Sequence, residues 1–147
     1  MIGVGNAWRG DDAAGLVVAR RLRDRGVNAV AIDGEPVAIM DAWEGAEAVW
    51  VVDAVSSGAA PGAVHRVDVT EAELPHELTR TSSHAFGLAE SIELARALGR
   101  MPARLVVYGI EGASFAAGVG LSPAVESAVG EVVAALREEV EMCTSRR

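Results

Sequence analysis

Short apolar runs interleave with amphipathic stretches along this chain, a pattern that predicts strands alternating with helices. Met1-Ile2-Gly3-Val4-Gly5 opens as a strand and leads through a Gly-rich turn to Asp11-Asp12. A helix over about 13–25 follows, capped by Asp11 or Asp12, with Gly26 at its C′ position. Leu16, Val17 and Leu22 supply part of its buried face. Val27–Asp33 reads as the second strand, closed by Gly34-Glu35-Pro36, and a short helix covers Val37–Trp43. Ala48–Asp53 is a continuous apolar run of the kind buried on both faces. Beyond the loop Ser56–Gly62, Ala63–Val69 alternates around His65, Arg66 and Asp68 as a half-exposed edge strand does.

Thr70–Thr79 is ambiguous, a polar segment interrupted by Pro75. His84–Leu98 reads as a helix closed by Gly99, Arg104–Tyr108 as a strand and Gly109–Gly120 as a Gly-rich loop. Ser122 as N-cap and Pro123 at N1 open the last helix. Its stripe is Val125, Val129, Val132, Val133, Leu136 and Val140. The order βαβαββαβα favours an α/β fold, a three-layer α/β/α sandwich around a mainly parallel sheet of about five strands. The short connection into Ala63–Val69 gives one antiparallel edge strand.

Composition narrows the class. A chain of 147 residues suits one domain, residues 1–147, with a core of its own. A net charge of −8 argues against nucleic acid and anionic membranes as partners. No stretch resembles a signal peptide and no apolar run approaches the ~20 residues of a membrane span, so the expected location is the cytoplasm. Cys143, the single cysteine, has no partner for an internal disulfide and no nucleophile's setting.

Asp12, Asp53 and His84 each fall just past a strand or at the start of the following helix. In an open α/β sheet such positions converge on the crevice outside the carboxyl ends of the strands. Two carboxylates and an imidazole there can bind a divalent metal and leave coordination positions free. Each residue also has a plainer explanation. One of Asp11 and Asp12 can cap a helix while the other faces the crevice. Asp53 is either a turn former or a site residue, and His84 can flank a helix. His65 and His76 read as surface residues.

Other motifs are missing. The dinucleotide fingerprint G-x-G-x-x-G needs a third Gly at position 8, where Trp8 stands, and no Lys exists to complete a phosphate-binding loop. There is no G-x-S-x-G elbow, H-E-x-x-H or C-x-x-C.

Gly3-Val-Gly-Asn-Ala-Trp-Arg-Gly-Asp-Asp12 with Gly15 resembles the opening motif of the nickel–iron hydrogenase maturation proteases. Four later blocks continue the resemblance in order: Val51-Val-Asp53-Ala-Val, Ser82-Ser-His84 with Gly87-Leu88-Ala89-Glu90, Tyr108-Gly-Ile-Glu111, and Gly118-Val-Gly120-Leu-Ser-Pro123 with Val125. The resemblance implies an endopeptidase that removes a C-terminal extension from the hydrogenase large subunit after nickel insertion. It also implies that Asp12, Asp53 and His84 are metal-binding, the nickel being supplied by the precursor and held by its thiolates. Four features depart from the family pattern. The first ligand is Asp12 where Glu is frequent, Ala13 stands where Gly is frequent, and Gly112 where many members have Pro. The first strand is also shorter than is usual in the family. Two other classes compete: a non-proteolytic nickel-binding chaperone or degenerate homologue, and an interaction domain whose acids are only caps.

Overall fold

A computed structural model of the protein describes residues 1–79 and 85–146. Five strands form one sheet: β1 (Ile2–Val4), β2 (Val30–Ile32), β3 (Ala48–Val55), β4 (Val64–Asp68) and β5 (Arg104–Glu111). Their spatial order is β2-β1-β3-β5-β4, parallel throughout except for β4, which runs antiparallel to β5. A 3-10 turn over Gly10–Ala13 leads into α1 (Ala14–Arg23). The remaining helices are α2 (Pro36–Trp43), α3 (His76–Thr79), α4 (Ala85–Leu98) and α5 (Pro123–Ser145). The expected three-layer sandwich forms, with its single antiparallel strand at one edge.

Alternation along the strands divides the core in two, because successive side chains leave opposite faces of a sheet. Trp50, Val52, Ala54, Val106, Tyr108 and Ile110 meet the buried faces of α1 and α5. Val49, Val51, Leu105 and Val107 point the other way, onto Ile39, Met40 and Trp43 of α2 and Leu88 and Ile92 of α4. On α5 the predicted stripe is buried from Val125 to Leu136.

Three strands differ from the sequence reading by more than one residue at an end. The second strand is Val30–Ile32 rather than Val27–Asp33, since the Val27 amide is spent on closing α1, donating to the Leu22 carbonyl at 3.0 Å. Gly26 supplies the left-handed turn that makes this closure possible, with φ of +81°. The third strand continues past Asp53 to Val55, so Asp53 sits inside β3 rather than at its end. The fifth strand continues past Tyr108 through Gly109 and Ile110 to Glu111, residues that read as loop. Gly109 is part of the ladder, where a Cβ would come within 3.1 and 3.3 Å of the Val55 methyls. The ambiguous Thr70–Thr79 contains one helical turn, α3, started where the Leu78 amide bonds the Pro75 carbonyl.

Candidate active site

Three glycines let the chain before α1 settle onto the sheet. A Cβ at Gly3 would lie 2.0 Å from the Gly15 carbonyl oxygen, and one at Gly5 would lie 2.0 Å from that of Asp12. A Cβ at Gly15 would lie 2.4 Å from the carbonyl oxygens of both Val4 and Val52. A side chain at Gly5 would push the 3-10 turn away from the end of β1, and one at Gly3 or Gly15 would lift the start of α1 off β1 and β3. The Asn6 amide then donates to the Asp12 carbonyl at 3.2 Å, fixing Asp12 beside the carboxyl end of β1.

Asp12 and Asp53 are both buried, at 1% and 3% exposure. Burial pushes the Asp53 carboxyl well above the usual carboxylate range, and the charge of Asp12 pushes it further the same way. A hydrogen bond from the Ala54 amide acts against both effects. Among the described residues Asp53 Oδ1 has no hydrogen-bond partner, although it is shut off from solvent. Two carboxylates placed out of water within reach of each other's charge are costly unless a proton or a cation joins them.

Asp11, the neighbouring acid, does something else. No side-chain bond caps the 3-10 turn or α1. Asp11 instead accepts bonds from the Ala113 and Ser114 amides at 2.7 and 3.0 Å, and from the Ser122 amide and hydroxyl at 2.7 and 2.9 Å. Burial raises its pKa, but these four bonds outweigh it and hold the carboxyl below its ordinary value. The helix-capping reading of the pair is thus corrected: Asp11 clamps the 113–122 segment to the crevice. Ser122 keeps its place as the α5 N-cap, but its hydroxyl serves Asp11.

His84 lies outside the described residues. Among those described, no group of three His, Cys, Asp or Glu side chains is placed to hold a metal ion. The structure places Asp12 close enough for its charge to act on Asp53.

Glu111 was given no role by residue chemistry. It is 2% exposed and accepts the Ser57 amide and hydroxyl at 2.6 and 2.8 Å and the Gly58 amide at 3.1 Å. His65 Nε2 stands 3.1 Å from its Oε2, which makes His65 a half-buried partner of Glu111 and corrects its reading as a surface residue. The signal was available, since an acid ending the apolar run Leu105–Ile110 repeats the pattern that singled out Asp53. Asp53, Gly109 and His65 occupy one rung across β3, β5 and β4. Glu111→Ala is expected to strip hydrogen-exchange protection from the Ser57 and Gly58 amides while β3 amides keep theirs, since only the loop loses its acceptor. Unchanged protection at Ser57 and Gly58 would show that Glu111 does not hold this loop.

This glycine-seated acid pair at the carboxyl edge coincides with a sequence match. The model of the family described as Hydrogenase maturation protease matches residues 18–139. The chain belongs to that family. Hydrogenase 2 maturation protease of Escherichia coli (strain K12) is 30% identical over 149 residues, covering 94% of this chain and 90% of the relative. Among solved structures, the NiFe hydrogenase maturation protease HybD from Thermococcus kodakarensis superposes with a TM-score of 0.75 at 25% identity, covering 93% of this chain and 95% of that one. The hydrogenase maturating endopeptidase HybD from E. coli gives 0.73 at 28% identity, covering 94% and 91%. Peptide-bond hydrolysis in hydrogenase maturation is therefore the activity of the family to which this chain belongs. Among the described residues, no helix is long and apolar enough to cross a membrane.

Proposed function

We propose that this endopeptidase removes the C-terminal extension of a nickel-loaded hydrogenase large-subunit precursor, using Asp12, Asp53 and His84 to meet the metal the precursor carries. The observation that carries this reading is the buried Asp53 Oδ1, without a hydrogen-bond partner among the described residues and beside a second buried carboxylate. That donor chemistry fits a cation, which would offset the mutual repulsion of Asp12 and Asp53 and favour their ionised forms. Carboxylate and imidazole oxygen and nitrogen donors suit nickel.

A bound metal polarises a carbonyl and lowers the pKa of water. The chain's own residues supply the rest. The Gly3, Gly5 and Gly15 contacts hold Asp12 against the sheet, and β3 holds Asp53 in its ladder. A carboxylate freed of its proton there can accept one from water during attack on the scissile carbonyl. Entry of a cation would offset the repulsion between Asp12 and Asp53 and favour the ionised carboxylates that such a step needs, which is how nickel loading of the substrate would gate cleavage.

The deciding experiment incubates the protein with nickel-loaded and nickel-free precursor and measures the mass of the large subunit. Loss of the extension from the loaded form alone is the expected result. Equal trimming of the nickel-free precursor would remove metal-gated recognition, and nickel transfer without any mass loss would identify a carrier instead of a protease.

A further inference from the structure

We infer that Trp8 is an anchor by which the body of the large-subunit precursor docks beside the Asp12–Asp53 crevice, an inference that rests on the function proposed above. Trp8 is 80% exposed, the most open of the large apolar side chains on the described surface. Isolated exposed apolar residues are ordinary and need no explanation. Trp8 differs from Leu98 and Met142 in its position and in how it is held.

Its backbone is pinned on both sides. The Trp8 amide donates to Asn6 Oδ1 at 2.9 Å, and its carbonyl accepts the Gly118 amide at 3.0 Å. The following residue is tied twice more, the Arg9 amide to the Asn6 carbonyl and the Arg9 carbonyl to the Asp12 amide. The same short segment therefore carries the indole and fixes the candidate ligand Asp12. Gly10, with φ of +57°, lets the 113–120 segment close in, its Cβ position lying 2.6 Å from the Ser114 carbonyl and 3.1 Å from a Val119 methyl. Val119 is itself 49% exposed, so an aromatic and an aliphatic side chain share one ledge. Asp11 locks that ledge from beneath through Ala113, Ser114 and Ser122.

A large flat side chain on an ordered backbone loses little entropy when covered, which is why tryptophans dominate binding hot spots. The occupant follows from the location. Trp8 stands four residues before Asp12 on the segment that holds it, so a substrate whose cleavage site reaches Asp12 lies against this ledge, and under the function proposed above that substrate is the large-subunit precursor.

The chain itself provides the reporter. Of its three tryptophans, Trp43 and Trp50 are 1% and 5% exposed, leaving Trp8 open to a collisional quencher. With this protein's tryptophans replaced biosynthetically by 5-hydroxytryptophan, which is excited selectively over ordinary tryptophans of the precursor, iodide quenching is expected to fall sharply when nickel-loaded precursor is added. Trp8→Ala should raise KM for the precursor about tenfold or more, with a smaller change in kcat, and Trp8→Phe should recover part of the loss. Met142→Ala, an exposed apolar site (56%) near the far end of the 23-residue α5 and so roughly 30 Å along that helix from its Ser122 cap, should leave KM unchanged. Where the precursor is cleaved, unchanged quenching or an unchanged KM in Trp8→Ala would overturn the anchor and leave the proteolytic reading intact. Shielding of Trp8 by a precursor that is never cleaved would support the anchor while that reading fails. Protection that grows with the protein's own concentration, together with dimer in sedimentation, would assign the ledge to a second copy and overturn the proposal. The quenching measurement keeps an indole at position 8, so it decides the matter even if a variant folds poorly.

Discussion

Asp53→Asn should lower kcat/KM for nickel-loaded precursor about a hundredfold or more, while the protein melts at the same temperature or higher. The catalytic half follows from the proposed role, since loss of a metal-facing carboxylate removes several kcal/mol of transition-state stabilisation. Asparagine keeps the shape and one oxygen, so residual activity would report ligation without base catalysis. The stability half follows from the environment in the free protein. Burial and the charge of Asp12 raise the Asp53 pKa, so its ionisation costs folding free energy. That cost is absent below about pH 4, where an unfolded aspartate is also protonated, and it appears as the pH climbs through the raised folded value. The melting-temperature advantage of the variant should therefore open as pH rises. Full activity in Asp53→Asn would exclude the residue from the reaction, and a large drop in melting temperature would show that its hydrogen bonding, not its charge, governs the site.

Asp11→Ala should cost far more stability than loss of a helix cap. A cap is worth about 1 kcal/mol, or a shift of roughly 3 °C for a domain of this size. Removing Asp11 takes away four bonds to a buried carboxylate and leaves the Ala113, Ser114 and Ser122 amides without their acceptor. A loss of about 3–5 kcal/mol is expected, lowering the melting temperature by about 10 °C. The Asp11 pKa is depressed in the folded state, so its contribution is complete above the unfolded value and fades as pH falls through the folded one. The gap between wild type and variant should accordingly narrow in acid. A shift of only a few degrees at neutral pH would reduce Asp11 to an ordinary turn residue.

The long periodic segments were legible in the sequence because local pattern and tertiary role agree in them. The α5 stripe from Val125 to Leu136 and the apolar run into Asp53 needed no partner to be recognised. Gly109 misled because glycine is a turn signal locally, whereas here it serves close packing against Val55. The second strand was overdrawn because Val27 is apolar, and only the closure of α1 reveals where its amide goes. At the site, Asp12 and Asp53 stood out as acids following apolar runs, although Asp53 lies within β3 and not at its end. The roles of Asp11 and Glu111 were not, since their partners lie far along the chain: Ala113 is 102 residues from Asp11, and Ser57 is 54 from Glu111. Asp11 and Asp12 look interchangeable in sequence. Their division of labour is decided by which side of the turn the 113–122 segment occupies.

The register of the central strand constrains how the crevice comes into being. With β1, β3 shares only the pairs Ile2 with Val51 and Gly3 with Val52, whereas with β5 it is matched continuously from Ala48 on Arg104 to Val55 on Glu111. Each of those rungs joins the first half of the chain to the second, so closure of a long intervening loop must precede any reward. A nascent chain that has released Asp12 and Asp53 but not yet Arg104 holds both acids in its covalent sequence without the strand that seats one of them. Seating of Asp53 in the sheet is thereby deferred until β5 has been synthesised, so a fragment that stops short of Arg104 lacks the strand on which β3 is fully paired.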